Sequence, residues 1–191
     1  MSIQFYKMEW TIFYLLFITC AFIYEFLAEA SIKKKQRAPG RIMAKWSYSL
    51  MAGSYILILF GAPIEYFMVK KNPNLIITAI GLIMYISGLL LRRWAVKTLN
   101  EFWSLHIEIK QNHKLIKDGP YKYVRHPNYL ASLFKGFGFA LIPNSYYMVV
   151  YIIAVFVPIR LIRIWIEEKE LIKEFGQEYL DYKKEVPLFI P

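Results

Sequence analysis

Residues 129–165 read YLASLFKGFGFALIPNSYYMVVYIIAVFVPIRLIRIW, two apolar runs divided by Pro143-Asn144-Ser145. A proline followed by two turn-forming polar residues halts a helix, so Tyr129–Ile142 and Tyr146–Trp165 are predicted as the two arms of a helical hairpin. The second arm is long enough to cross the roughly 30 Å hydrocarbon core of a bilayer. The first has 14 residues and at about 1.5 Å each reaches only ~21 Å, so it should start below the surface or be shielded by protein. Toward the amino terminus, Trp10–Ala28, Trp46–Met68 and Leu75–Leu91 are almost uninterrupted apolar sequence, each close to the roughly 20 residues a spanning helix needs. The expected fold is an all-α integral membrane protein of about five transmembrane helices, the last two a hairpin. Beyond them Arg160 to Tyr182 keeps helical spacing, with Gly176 as an interruption, and forms a cytosolic helical extension that contributes to a cofactor pocket.

With 57% hydrophobic residues, 18% aromatic residues and a mean hydropathy of +0.33, the composition agrees with a membrane chain. No linker, repeat or low-complexity tract divides it. A single domain over 1–191 is expected, with membrane helices in 1–95 and a cofactor-binding catalytic region in 96–191. The first apolar run is too long for a signal peptide, no Ala-x-Ala-like site follows it, and Glu25 and Glu29 are expected to end it.

The net charge of +10 is concentrated beside helix ends. Lys33, Lys34, Lys35, Arg37, Arg41 and Lys45 fill the first loop. Arg92, Arg93, Lys97, Lys110, Lys114, Lys117, Lys122 and Arg125 fill the third. Both loops are therefore placed in the cytoplasm, which puts the amino terminus outside and the carboxyl terminus inside. Topology and anionic lipid account for the basic charge, so no nucleic-acid partner is expected. Cys20 is alone and mid-membrane, and His106, His113 and His126 are not at ligand spacing. No metal site is predicted.

Two polar clusters frame the hairpin. The first is Asp118-Gly-Pro-Tyr-Lys-Tyr-Val-Arg-His-Pro-Asn-Tyr129; the second is Arg163, Glu167 and Glu168, followed by Phe175-Gly-Gln-Glu-Tyr179. Arg163, Glu167, Glu170 and Glu174 share one helical face. That pattern suits an ordinary ion pair on a solvated face as well as a site where the helix leaves the membrane. Arg160, one turn earlier, is costly in lipid unless it snorkels or faces a cavity, and Lys135 is expected to snorkel. His126-Pro127 reads as a helix entry, but Tyr121, Tyr123, Arg125 and Tyr129 crowd it with more donors than capping requires. Ser104–Ile109 alternates polar and apolar residues, as in an extended segment along the membrane surface. Together the clusters predict a pocket holding a water-soluble cofactor against a lipid-borne substrate. No phosphate-binding loop or nucleophile elbow is present.

Arg125-His-Pro-Asn-Tyr-Leu-Ala131 and Glu167-Glu168 resemble the paired hallmark of the isoprenylcysteine carboxyl methyltransferase family, Arg-His-Pro-x-x-x-Gly followed by Glu-Glu, within a wider group that includes phospholipid N-methyltransferases. The resemblance extends back to His113-Lys114-Leu115-Ile116 and Gly119-Pro120-Tyr121 and forward through Phe175–Tyr182, about the last 80 residues. Two departures stand out: Ala131 where the family usually has glycine, and His106 where it often has a polar amide. The resemblance implies S-adenosyl-L-methionine as cofactor and S-adenosyl-L-homocysteine as product. It assigns cofactor binding to His113, Lys114, Leu115, Ile116, Tyr121, His126, Pro127, Asn128, Tyr129 and Glu167, with His106 added to that set. His126 and Arg163 would serve catalysis, Arg163 by facing a prenylated or other membrane-lipid substrate. Other readings are phospholipid N-methylation, with His106 or His126 as base, a nicotinamide-dependent membrane reductase, and a non-catalytic lipid binder.

Overall fold

Long apolar runs become helices in hydrocarbon because a helix satisfies its backbone donors and acceptors internally. The computed structural model describes residues 2–35, 40–69, 74–110 and 114–189. Helices α1 (Ser2–Lys35), α2 (Lys45–Val69) and α3 (Leu75–Leu99) are followed by the short α4 (Pro127–Leu141). Then come α5 (Tyr146–Tyr151) and α6 (Val157–Phe175), joined by a π-helical turn at Ile152–Phe156, and finally α7 (Gln177–Glu185). Four stretches are long and apolar enough to cross a bilayer: Glu9–Ala28, Lys45–Val69, Leu75–Phe102 and Tyr146–Phe175. Leu16, Phe26, Ile76, Ile83 and Leu90 on these helices point outward, as lipid-facing residues do. The π turn ends two residues before Pro158, whose missing N–H breaks the regular ladder.

The 15-residue α4 is too short to span alone, as its sequence predicted, yet it accompanies α2 through most of that helix. At its entry Tyr129 reaches Ser47, early in α2, through Arg163. At its exit Ser145 Oγ donates to the Ala62 carbonyl, 2.8 Å away, near the far end of α2. The intervening turn is pinned on both sides. Asn144 Oδ1 accepts from the backbone N–H of Asn74, the cap of α3, at 2.8 Å, and Glu65 accepts from the N–H groups of Tyr147 and Met148.

Shielding of α4 comes chiefly from α3, along a seam of small residues. A Cβ on Gly138 would lie 2.5 Å from the Tyr85 nitrogen, and one on Gly88 would lie 2.8 Å from the Ala131 carbonyl oxygen. Close backbone approach of this kind is how helices associate where hydrophobicity supplies no drive. Ala131 is fully buried in this seam, so the departure from glycine falls on a helix contact. Tyr14, Ile58, Tyr85, Phe139 and Phe156 fill the adjoining core.

The apolar run of α1 ends at Ala28, just before Glu29, although the helix itself continues to Lys35. One sequence expectation is corrected here. Lys135 does not snorkel: its ammonium meets Glu25 Oε1 at 2.5 Å and lies 5.1 Å from the centre of the Tyr55 ring, at 1% exposure. A carboxylate on a neighbouring helix offers a buried ammonium more than a long climb to water. Lys135→Met should therefore lower the unfolding free energy by about 1–2 kcal/mol. Adding Glu25→Gln should recover part of that loss. Thermal unfolding in detergent measures both.

On the side that carries the first and third loops, β1 (Gly40–Met43) pairs antiparallel with β2 (Ile107–Lys110), Gly40 facing Lys110 and Met43 facing Ile107. Of the extended segment expected at Ser104–Ile109, only Ile107–Ile109 belongs to this two-stranded ribbon; the chain bends at Leu105 and His106. Gly176, at φ 55°, ends α6 in a conformation that glycine adopts without strain. There the chain turns into α7.

Candidate functional site

The third loop, the entry of α4, the end of α6 and α7 enclose an open cavity of about 1130 Å³, mouth included. Trp103 to Ile109 form one wall, Lys114, Leu115 and Ile116 a second, and Tyr121, Arg125, His126, Asn128 and Tyr129 a third. Arg163, Glu167, Glu170, Leu171 and Phe175 close it from α6, with Tyr179 and Tyr182 from α7. Helical spacing explains the α6 contribution: Arg163, Glu167, Glu170 and Leu171 fall on one face.

At the centre is a chain of three side chains. Arg163 Nε donates to Tyr129 Oη at 2.9 Å, and Tyr129 Oη donates to Glu167 Oε2 at 2.5 Å. The same guanidinium donates to Ser47 Oγ at 2.9 Å and to the Leu105 carbonyl at 2.5 Å. Three of the five donors of Arg163 are thereby held by protein, leaving two N–H groups for anything entering the cavity. Arg163 is 4% exposed, whereas the Glu167 side chain keeps 29% exposure. The expected ion pair between Arg163 and Glu167 is thus relayed through a phenol that sequence spacing did not connect to either.

Glu168, the second of the tandem acids, has other work. It pairs with Arg125 Nε at 2.9 Å and Lys183 Nζ at 2.6 Å. Arg125 also donates to the carbonyls of Lys183 and Val186, and its own N–H donates to the Pro187 carbonyl. Tyr182 Oη donates to the Tyr121 carbonyl at 2.6 Å. This clasp folds residues 186–189 back against the loop and positions α7 over the cavity. Burial pushes the Tyr182 phenol up to about 12, with Arg125 opposing. Burial, reinforced by Glu167, raises Tyr121 well above the ordinary phenol range. Both stay neutral at physiological pH and able to donate.

Of the residues singled out by sequence, His106, Lys114, Leu115, Ile116, Tyr121, His126, Asn128, Tyr129, Arg163 and Glu167 all line this cavity. Pro127 does not: it is buried as the first residue of α4, where its fixed φ suits a helix start. His113 lies outside the described residues. Trp103, Leu105, Arg125, Tyr179 and Tyr182 were not among the predicted site residues, and nor was Ser47, which steadies Arg163 from a helix remote in sequence. Signals had nevertheless reached some of them: Arg125 opens the Arg-His-Pro hallmark, Leu105 lies in the alternating Ser104–Ile109 segment, and Tyr179 and Tyr182 lie in the Phe175–Tyr182 tract.

Several polar atoms here have no hydrogen-bond partner: His106 Nδ1, His126 Nε2, Asn128 Oδ1 and Tyr179 Oη. His126 Nε2 stands 3.4 Å from Glu168 Oε1, at ion-pair distance. Buried polar atoms are ordinarily paired, so four orphans around one cavity fit a polar ligand. The Glu167 carboxylate, free amide and imidazole groups, and aromatic faces at Trp103 and Phe175 suit a molecule combining ammonium, hydroxyl and planar heterocycle.

The isoprenylcysteine carboxyl methyltransferase family model matches residues 80–173. The protein-S-isoprenylcysteine O-methyltransferase of Rattus norvegicus is 37% identical over 120 residues, covering 60% of this chain and 41% of that protein. The Tribolium castaneum protein of the same name is 31% identical over 173 residues, 87% of this chain and 60% of that one. Among solved structures, a eukaryotic intramembrane Ras methyltransferase of this kind superposes with a TM-score of 0.56 at 29% identity, covering 78% of this chain and 54% of that one. The chain thus spans about two fifths of the length of the first of these relatives.

Proposed function

We propose that the chain, whose residues 80–173 match the isoprenylcysteine carboxyl methyltransferase family model, is a membrane methyltransferase of that family. It uses S-adenosyl-L-methionine to esterify the carboxylate of an isoprenylcysteine-like acceptor. The observation that carries this reading is the Arg163–Tyr129–Glu167 relay in the wall of a cavity lined by both halves of the family hallmark.

Bound, S-adenosyl-L-methionine supplies a methyl group on a sulfonium and leaves as S-adenosyl-L-homocysteine. The cavity residues do the rest. Glu167 accepts from the cofactor's ammonium or ribose hydroxyl, and His126, Asn128 and Tyr121 offer further polar contacts. Arg163, clamped by Ser47 and the Leu105 carbonyl, directs its two remaining N–H groups to the acceptor carboxylate. An ionised carboxylate needs no general base. Charges cancel as the methyl moves, so shielding from water by α7 and the β1–β2 ribbon favours the transition state. Holding nucleophile, methyl carbon and sulfur in line is worth up to about 7–11 kcal/mol in favourable cases. The acceptor's apolar tail stays in the bilayer and enters sideways between helices.

Pairing of β1 with β2 supports the proposed orientation, because it brings the two basic loops to one side. That side is the cytosol by the positive-inside rule, with the amino terminus outside.

Labelled S-adenosyl-L-methionine incubated with membranes tests the reaction. Base-labile label in a lipid-soluble product is the expected result. Base-stable label would mean amine methylation, and no label would remove the assignment. Arg163→Lys should lower turnover about a hundredfold, since an ammonium cannot reproduce a planar fork held on three sides. Cofactor affinity by calorimetry should change far less, and an equal loss of both would refute the acceptor role.

A further inference from the structure

Arg160 is only 2% exposed on α6, yet among the described residues no carboxylate pairs with it. Its guanidinium is held by neutral oxygens alone: Ser54 Oγ at 3.1 Å, Ser132 Oγ at 3.3 Å, and the Met51 carbonyl at 3.4 Å from both terminal nitrogens. It also packs 3.7 Å from the centre of the Phe156 ring. Other buried cations have acids: Lys135 has Glu25 and Arg125 has Glu168. One turn away, Arg163 reaches Glu167 only through Tyr129. Met51, whose carbonyl Arg160 grips, lines the cavity. Two buried cations, one without a counter-charge, make an expensive arrangement unless a negative charge arrives beside them.

We propose that Arg160 is a positioning residue that makes the membrane side of the cavity selective for an anionic acceptor, its field acting through the Met51 wall. This deepens the methyltransferase reading and rests on it, naming the acceptor's charge as what the site selects. The low dielectric between α2, α4 and α6 lets a charge act without contact. Ser54 and Ser132 hold the guanidinium in place but cannot neutralise it, so its field remains available to the acceptor.

The test uses two synthetic S-prenylated, N-blocked cysteines with identical tails, one with a free carboxylate and one with a carboxamide. The carboxylate is assayed as substrate, the amide as competitive inhibitor, and both by calorimetry on the detergent-solubilised protein. Wild type should prefer the carboxylate about tenfold or more. Arg160→Gln should erase most of that preference by raising KM, while kcat at saturation and cofactor affinity stay within a few-fold. Arg160→Lys should keep most of it, because charge rather than fork geometry is at issue. If Arg160→Gln retains the wild-type preference, the inference is overturned. Should that variant fail to fold, Ser54→Asp decides, since it sets a carboxylate against the guanidinium and cancels its charge in place, and an unchanged preference there overturns it equally. A wild-type protein that binds no S-adenosyl-L-methionine and transfers no methyl would instead bring down the underlying reading, and this inference with it.

Discussion

Gly138→Val is expected to abolish accumulation of folded protein, or to lower its stability by more than about 3 kcal/mol. A Cβ there would sit 2.5 Å from the Tyr85 nitrogen, 2.6 Å from the Gly81 carbonyl oxygen and 2.8 Å from the Tyr85 Cα. All three are backbone atoms of α3, which cannot step aside as a side chain can. Separating α3 from α4 would also disturb the entry of α4, where His126 and Tyr129 are presented to the cavity. Gly53→Ala is the control, since nothing lies within 4 Å of the added atom. Yield after detergent extraction and thermal unfolding of both variants measure the difference. Equal stability of the two would show that the seam does not hold the bundle together.

Glu167→Gln should cost at least a hundredfold in kcat/KM, about 2.7 kcal/mol, and weaken S-adenosyl-L-methionine binding at the same time. The side chain is nearly isosteric, so folding should survive. What disappears is the negative charge that orients Tyr129 and, through it, offsets Arg163. An amide is also a far poorer partner for an ammonium ion. Calorimetry on the purified variant, set beside its turnover, checks the assignment. Unchanged cofactor affinity would remove Glu167 from the cofactor's contacts.

Much of the candidate site was legible in the sequence because its parts are local. His126, Asn128 and Tyr129 follow one another at the start of a helix, and Arg163 and Glu167 stand one turn apart, so helical geometry alone puts each group on a shared face. Pro127 was assigned to the pocket by the family resemblance; it starts α4, as the helix-entry reading of His126-Pro127 expects, and does not line the cavity. The role of Glu168 was not legible. Its adjacency to Glu167 points it a different way round the helix, toward Arg125 and Lys183, and so to a clasp rather than to the relay. Ser47 carried no signal at all, being one hydroxyl at the head of an apolar run that meets Arg163 only once α2 and α6 lie side by side.

The number and extent of the apolar runs, the turn at Pro143–Ser145 and the helical face of Arg163 and Glu167 were set by the sequence alone, since they rest on hydrocarbon thickness, backbone chemistry and the pitch of a helix. Which buried charges find partners was decided only by tertiary structure. Lys135 meets Glu25 across α1 and α4, while Arg160 meets no acid among the described residues. Pairing in a membrane interior depends on which helix faces pack together, and that packing is governed by the small-residue seam between α3 and α4, a contact of backbones that no local pattern of hydrophobicity encodes.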